Sequence, residues 1–174
     1  MPVAGIRFPV DDTARKTTMR TRTEKTRKSF TVEQANAALP LVRAIVRDLV
    51  ELACDVVERR ERLAAIVGGR GRQETSDAYG EELAQVESDL ERDTQRLQEY
   101  VGELLELGVE PKSATDGLVD FPTMIDDRPA YLCWKLGEPE VLYWHELDAG
   151  FRGRQPLTAA SLSNSDEPPA AEGN

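Results

Sequence analysis

The residues of this chain that could do chemistry are few, and they concentrate toward its C-terminal part. His145, the only histidine, stands in the segment EVLYWHEL next to Glu146, with Asp120 upstream in GLVDFP and Arg154 downstream in GFRGRQPL. A histidine near carboxylates can hold a metal ion, and a guanidinium fork can receive an anion. We therefore take Asp120, His145, Glu146 and Arg154 as candidate ligand-binding residues at the edge of a sheet. They specify neither a particular metal nor a cofactor.

Several roles remain open for these side chains. A lone histidine on an apolar strand can be a core or rim residue that bonds to backbone or to a carboxylate, a metal or ligand contact, or an acid–base catalyst. Arg154 can pair with Asp120 or Glu146, or it can hold an anionic ligand. The sequence has no Ser/His/Asp set and no phosphate-binding glycine loop. No catalytic residue is assigned.

Short β-branched and aromatic segments predict the strands that position these residues. They form an antiparallel meander of three strands, at 117–123, 129–136 and 140–147. With a turn of two or four residues between the last two strands, Trp134 faces Tyr143 and Leu132 faces His145. Since side chains alternate between faces, Cys133 and His145 then lie on opposite faces, which disfavours a thiolate–imidazole pair.

This register gives the sheet one face that is too apolar for open water. Tyr131, Cys133, Leu142 and Trp144 share it. We expect residues 150–157 to fold back and cover it, with a second copy of the chain or a ligand as the alternatives.

Helical periodicity precedes the strands. Thr31 and Gln34 have the spacing of a capping box, and apolar residues then recur at alternating steps of three and four. Pro40 predicts a kink, or the start of a new helix. A Gly-rich segment separates this helix from a second one, which stops at Gly108. The fold class is therefore α+β: a long antiparallel helical hairpin over 31–108, of coiled-coil character, followed by a small three-stranded antiparallel sheet.

Charge divides the chain into regions. The formal net charge is −10, but residues 1–29 carry +5, which leaves −15 for the remainder. The acidic body disfavours nucleic acid as a partner.

We predict a disordered basic arm at 1–29, one domain at 30–157 with an ordered segment at 148–157, and a disordered tail at 158–174. No apolar run reaches the ~18 residues of a membrane span, and no signal peptide is evident, so we expect a cytoplasmic protein.

Three segments of the chain resemble a known family. FTVEQANAALPLV, GLVDFP and LCWKLGEPEVLYWHELDAGFRGRQPL are similar to the domain of unknown function 2203 family of prokaryotes, over about residues 29–157. The resemblance implies one compact unit in a bacterial-type cytoplasmic setting, and it implies no activity, substrate or cofactor. The family's motif also includes these residues, all present here: Asp120, Cys133, Trp134, Glu138, Trp144, His145, Gly150, Phe151 and Arg154.

Three functions are compatible with these observations. The long charged helices favour a non-enzymatic interaction module that binds a protein partner or a second copy of itself. The alternative is a small-ligand or metal-binding protein whose site lies near Asp120, His145 and Arg154. A hydrolase or transferase that uses the same groups is the third, and nothing in the spacing of the residues requires it.

Overall fold

The computed structural model describes residues 28–69 and 77–158. Two helices come first, α1 (Val32–Gly69) and α2 (Asp77–Glu106). A sheet follows, with strands β1 (Glu110–Ser113), β2 (Leu118–Ile125), β3 (Arg128–Lys135), β4 (Tyr143–Glu146) and β5 (Gln155–Pro156), and a 3₁₀ turn at Phe151–Gly153. The α+β class is confirmed. The predicted basic arm and C-terminal tail lie almost wholly outside the described residues.

Helix α1 begins as its sequence predicts. The Gln34 side chain accepts a hydrogen bond from the Thr31 N–H at 3.1 Å, and the Thr31 hydroxyl accepts one from the Gln34 N–H at 3.2 Å. The helix then runs through Pro40 as one element, so no new helix starts there. Leu39 and Val42 are buried on either side of the proline, and this packing offsets the one backbone hydrogen bond that proline cannot donate.

The two helices form an antiparallel hairpin. Arg59 of α1 contacts Asp93 of α2 at 2.5 Å, while Lys28, just before α1, reaches the Leu107 carbonyl beyond the end of α2 at 3.4 Å. Gly108 has φ of 85°, the left-handed conformation that commonly ends a helix. The predicted apolar seam is buried at these central positions: Val42, Val46, Leu49, Ala53, Val56, Leu90, Leu97 and Leu104.

The antiparallel sheet has five strands in sequence order, not the predicted three. Strands β2, β3 and β4 are the predicted meander, with ends that shift by one to three residues. The strands that the sequence did not predict, β1 and β5, are the two edges. Both are short and contain proline, which an edge strand tolerates, and neither has an alternating apolar pattern.

The predicted register between β3 and β4 is wrong by one residue. The observed pairs are Ala130 with Glu146, Tyr131 with His145, Leu132 with Trp144, and Cys133 with Tyr143. The connection between β3 and β4 is a longer loop, and not the predicted turn of two or four residues. The Glu138 N–H donates to the Lys135 carbonyl at 3.0 Å, and the Val141 N–H donates to Asn36 Oδ1 of α1 at 2.8 Å. Because the helix holds Val141, pairing resumes only at Tyr143, and each β4 side chain lies on the face opposite to the one predicted.

The two faces of the sheet have different partners. Val119, Phe121, Leu132 and Trp134 are buried in the core that the sheet shares with the helices, and Trp144 packs against the same core. The prediction that Trp144 shares a face with Cys133 is therefore wrong. The outer face, away from that core, carries the alternate residues, among them Asp120, Tyr131, Cys133, Tyr143 and His145.

Candidate metal centre

Three buried side chains of metal-ligand type meet on the outer face of the sheet. Asp120 comes from β2, Cys133 from β3 and His145 from β4, and their exposed fractions are 2%, 0% and 2%. Asp120 and Cys133 are direct cross-strand partners, and His145 stands diagonally from Cys133. One ligand atom from each residue lies within 4.8 Å of the other two. The expectation that Cys133 and His145 lie on opposite faces is therefore wrong, because it followed from the wrong register.

The backbone fixes the orientation of the histidine ring. His145 Nδ1 lies 2.7 Å from the Glu146 carbonyl oxygen. A carbonyl can only accept, so Nδ1 carries the hydrogen and donates it. The other ring nitrogen, Nε2, faces Asp120 Oδ2 at 3.1 Å. A neutral ring in this tautomer presents a lone pair there, and so does the carboxylate. A proton or a cation must therefore stand between the two atoms.

Burial and Asp120 oppose each other in their effect on the pKa of His145 and reinforce each other in their effect on the pKa of Cys133. Burial by itself lowers the pKa of His145, but the hydrogen bonds with Asp120 and the Glu146 carbonyl outweigh it, and the pKa lies above its usual value. Burial, and next the negative charge of Asp120, raise the pKa of the Cys133 thiol far above its usual range. In the absence of a cation the cluster holds protons, and a Cys133 thiolate would need a bound positive charge.

One oxygen of the cluster has no hydrogen-bond partner. Asp120 Oδ1 is buried and accepts no hydrogen bond from any residue that the structure describes. A buried polar atom left unsatisfied costs about 1–3 kcal/mol. The same atom is free to coordinate an ion.

A lysine–glutamate ion pair on β1, Lys112 with Glu110, borders the cluster. Lys112 Nζ lies 2.8 Å from Glu110 Oε2 and 3.9 Å from Asp120 Oδ2. The Tyr131 hydroxyl donates to the same Glu110 oxygen at 3.0 Å, and Lys112 Nζ lies 4.6 Å from the centre of the Tyr131 ring. That ring is 5.6 Å from the His145 ring. The sequence did not indicate Lys112 or Glu110, because β1 has no strand pattern.

Arg154 holds the opposite flank. It donates to Glu138 Oε2 at 2.7 Å and to the Cys133 carbonyl at 3.2 Å, and its guanidinium lies 4.3 Å from the centre of the Tyr143 ring. Its ion-pair partner is therefore Glu138, and neither Asp120 nor Glu146 as expected. The segment that carries Arg154 contacts this part of the outer face from within the chain. Trp144, which was predicted to lie on that face, packs against the core instead.

The four candidate ligand-binding residues predicted from the sequence thus differ in their positions relative to the cluster. The fold brings Asp120 and His145 into direct contact. Glu146 is exposed and contributes its backbone carbonyl, while Arg154 contacts the main chain of Cys133. Sequence reasoning missed Cys133. A register shifted by one residue would have placed it beside His145.

The separations in the cluster suit a tetrahedral ion. Zinc–nitrogen and zinc–oxygen bonds of about 2.0–2.2 Å and a zinc–sulfur bond of about 2.3 Å place tetrahedral ligand atoms roughly 3.3–3.6 Å apart. The 3.1 Å between His145 Nε2 and Asp120 Oδ2 is close to this value, and the 4.8 Å limit for the whole set exceeds it by little more than 1 Å. The ligand atoms of the three residues are therefore spaced close to the separations of a zinc site.

Comparison with known proteins gives a family. The family model described as "Uncharacterized conserved protein (DUF2203)" matches residues 28–157, a span that includes the three clustered residues. No curated protein and no solved structure matches the chain. Neither helix, over the residues described, has a stretch long and apolar enough to cross a membrane.

Proposed function

Because the chain belongs to the DUF2203 family, whose description names no activity, we propose a function from the site alone: the protein binds a divalent transition-metal ion, of which zinc fits best, through Asp120, Cys133 and His145. One observation carries the proposal. Three buried side chains, each of a type that binds metals, place their ligand atoms within 4.8 Å of one another.

The unsatisfied oxygen of the cluster supports a metal ion over a simple buried ion pair. A proton between His145 and Asp120 satisfies Nε2 and Oδ2, but it leaves Asp120 Oδ1 without a hydrogen bond from any residue that the structure describes. A metal ion engages all three side chains at once. Its charge would also stabilise the thiolate form of Cys133, which burial otherwise disfavours.

The hydrogen bond behind the histidine supports the same proposal. Histidines that bind metals through one ring nitrogen usually donate the other N–H to a carbonyl or carboxylate, which fixes the tautomer and the ring orientation. His145 has this arrangement, with Nδ1 held by the Glu146 carbonyl at 2.7 Å and Nε2 directed into the cluster.

The choice of zinc follows from the type and number of the ligands. Thiolate and imidazole together favour zinc over magnesium or calcium, which prefer sets made up of oxygen atoms. Three protein ligands leave a fourth position for water or another molecule, as in catalytic zinc sites; structural zinc sites usually have four protein ligands.

The experiment measures metal content in matched variants. After chelation and reconstitution with zinc, the wild-type chain should retain one zinc ion, measured by plasma mass spectrometry and confirmed by a rise in melting temperature. Cys133→Ser and His145→Gln should retain much less. Cys54→Ser is the control, because Cys54 is the exposed free cysteine on α1, and this variant should match the wild type. Equal retention by Cys133→Ser and Cys54→Ser, or no zinc on the wild type, would contradict the proposal.

The predicted interaction module stays a second candidate. It would use the surface of the helical hairpin, which has an open groove of about 520 Å³. The groove is lined by Arg60, Glu87, Leu90, Glu91, Thr94, Gln95 and Gln98. This surface belongs to the helices, whereas the candidate metal centre lies on the outer face of the sheet, so the two functions can coexist.

A further inference from the structure

We propose that the fourth position of the metal takes an oxygen atom of a small anion, a carboxylate or a phosphate, and that Lys112 binds this anion. The inference rests on the proposed metal site and specifies the class of ligand that the site receives.

The fold determines the side from which a ligand can approach the metal. The side chains of all three metal ligands lie on the outer face, so the backbone of β2, β3 and β4 blocks approach from the inner side of the sheet. The fourth position must therefore point away from the sheet. Lys112 lies on this border, with Nζ 3.9 Å from Asp120 Oδ2. Its side chain is 24% exposed, and that of Glu110 is 29% exposed, so this border reaches solvent, unlike the buried cluster.

Lys112 has donors left for a ligand. An ammonium group carries three N–H donors. Glu110 Oε2 takes one at 2.8 Å, and the Tyr131 ring supports the charge from 4.6 Å. An anion oxygen on the metal, next to Asp120, would come within reach of the remaining donors.

The charges of the site permit an anion. A zinc ion with the Asp120 carboxylate and a Cys133 thiolate has no net charge, and Lys112 and Glu110 cancel each other, so no net negative charge repels an incoming anion. The anion would meet a Lewis acid on one side and an ammonium group on the other.

Arg154, the anion-binding candidate from the sequence, lies on the other flank of the cluster. Its Nη2 donates to Glu138 and to the Cys133 carbonyl, whereas Lys112 Nζ lies 3.9 Å from Asp120 Oδ2. We therefore give Lys112 the role that the sequence left open for Arg154.

The test uses the full chain loaded with cobalt(II), which reports changes in coordination through its visible absorption. Inorganic phosphate and acetate are titrated separately. At least one of them should change the wild-type spectrum in a saturable way, and the better one indicates the ligand class. Lys112→Gln should keep one cobalt ion per chain and bind that anion at least tenfold more weakly. Lys112→Arg should recover part of the affinity.

Lys135→Gln is the matched control. Lys135 also lies over an aromatic ring, that of Phe151 at 5.6 Å, but on the Arg154 flank. Its anion affinity should equal that of the wild type. Cobalt-loaded wild type without an anion response, or equal weakening in the two glutamine variants, would overturn the inference and leave the metal site standing. A wild-type chain that binds no cobalt would overturn both.

Discussion

Arg154→Ala should destabilise the protein substantially, and about half of that loss should depend on Glu138. The two side chains meet at 2.7 Å and are only 12% and 22% exposed, so water screens their charges less than those of an ordinary surface pair. Arg154 also donates to the Cys133 carbonyl and lies against the Tyr143 ring. The contact therefore connects the segment after β4 to the loop before it and to the strand that carries Cys133.

The magnitude follows from these contacts. A hydrogen bond between charged groups contributes about 1.5–3 kcal/mol, a backbone carbonyl bond about 0.5–1.5 kcal/mol, and a partly desolvated contact between a cation and an aromatic ring about 0.5–2 kcal/mol. Arg154→Ala should therefore lower the free energy of unfolding by about 3–5 kcal/mol. The part shared with Glu138 should be about 1.5–3 kcal/mol.

A double-mutant cycle measures the shared part. Urea unfolding of the wild type, Arg154→Ala, Glu138→Gln and the double variant, all in chelator so that no metal contributes, gives the coupling energy. A parallel cycle of Arg154→Ala with Glu146→Gln should be additive within about 0.5 kcal/mol, because Glu146 is exposed and makes no side-chain contact with Arg154 that the structure records. Coupling to Glu146 larger than coupling to Glu138 would refute the observed register and restore the partner expected from sequence.

Two further predictions concern the turn before β2 and the histidine. Gly117→Ala should lower the free energy of unfolding by about 2–4 kcal/mol, since φ is +63° and the added Cβ would lie 2.6 Å from Leu136 Cβ. Gly102→Ala, in open space on α2, should instead raise it by about 0.5–1 kcal/mol. A destabilised Gly102→Ala or an undisturbed Gly117→Ala in urea unfolding would contradict these contacts. In metal-free protein, the raised pKa of His145 should give stability that is full below about pH 6.5 and is lost as pH rises through the folded-state pKa. The urea midpoint should show this loss in the wild type, and an equal loss in Asp120→Asn would exclude the proposed cause.

The sequence predicted those features that depend on near neighbours in the chain. The capping bonds of Thr31 and Gln34, the helical seam and the three central strands all have local signals, and all are present. The register of β4 has no local signal in the sequence, because the Asn36 amide that holds Val141 lies on the first helix, far away in sequence. Residue spacing around the turn alone could not include that contact. Cys133 was missed for this reason.

Strand β1 was missed for a related reason. Its four residues EPKS have no β pattern of their own and extend the sheet only because β2 offers an open edge. Lys112 and Glu110 reach the cluster through that pairing. The sequence thus located Asp120 and His145 but not the residues that would make them a metal centre.

The three clustered side chains come from successive strands, which has a consequence for how the chain folds. Asp120, Cys133 and His145 are brought together by closing two connections, a tight hairpin at Asp126 and Asp127 and the loop before β4. Loops of this length cost little entropy to close compared with the docking of the helices. Asp120 and Cys133 can therefore come together as soon as the hairpin of β2 and β3 forms, whereas His145 joins them in the observed register when the Asn36 amide of α1 holds Val141. An ion bound by all three residues would connect β2, β3 and β4 directly, and it would thus stabilise the β4 register in addition to the contact with the helix.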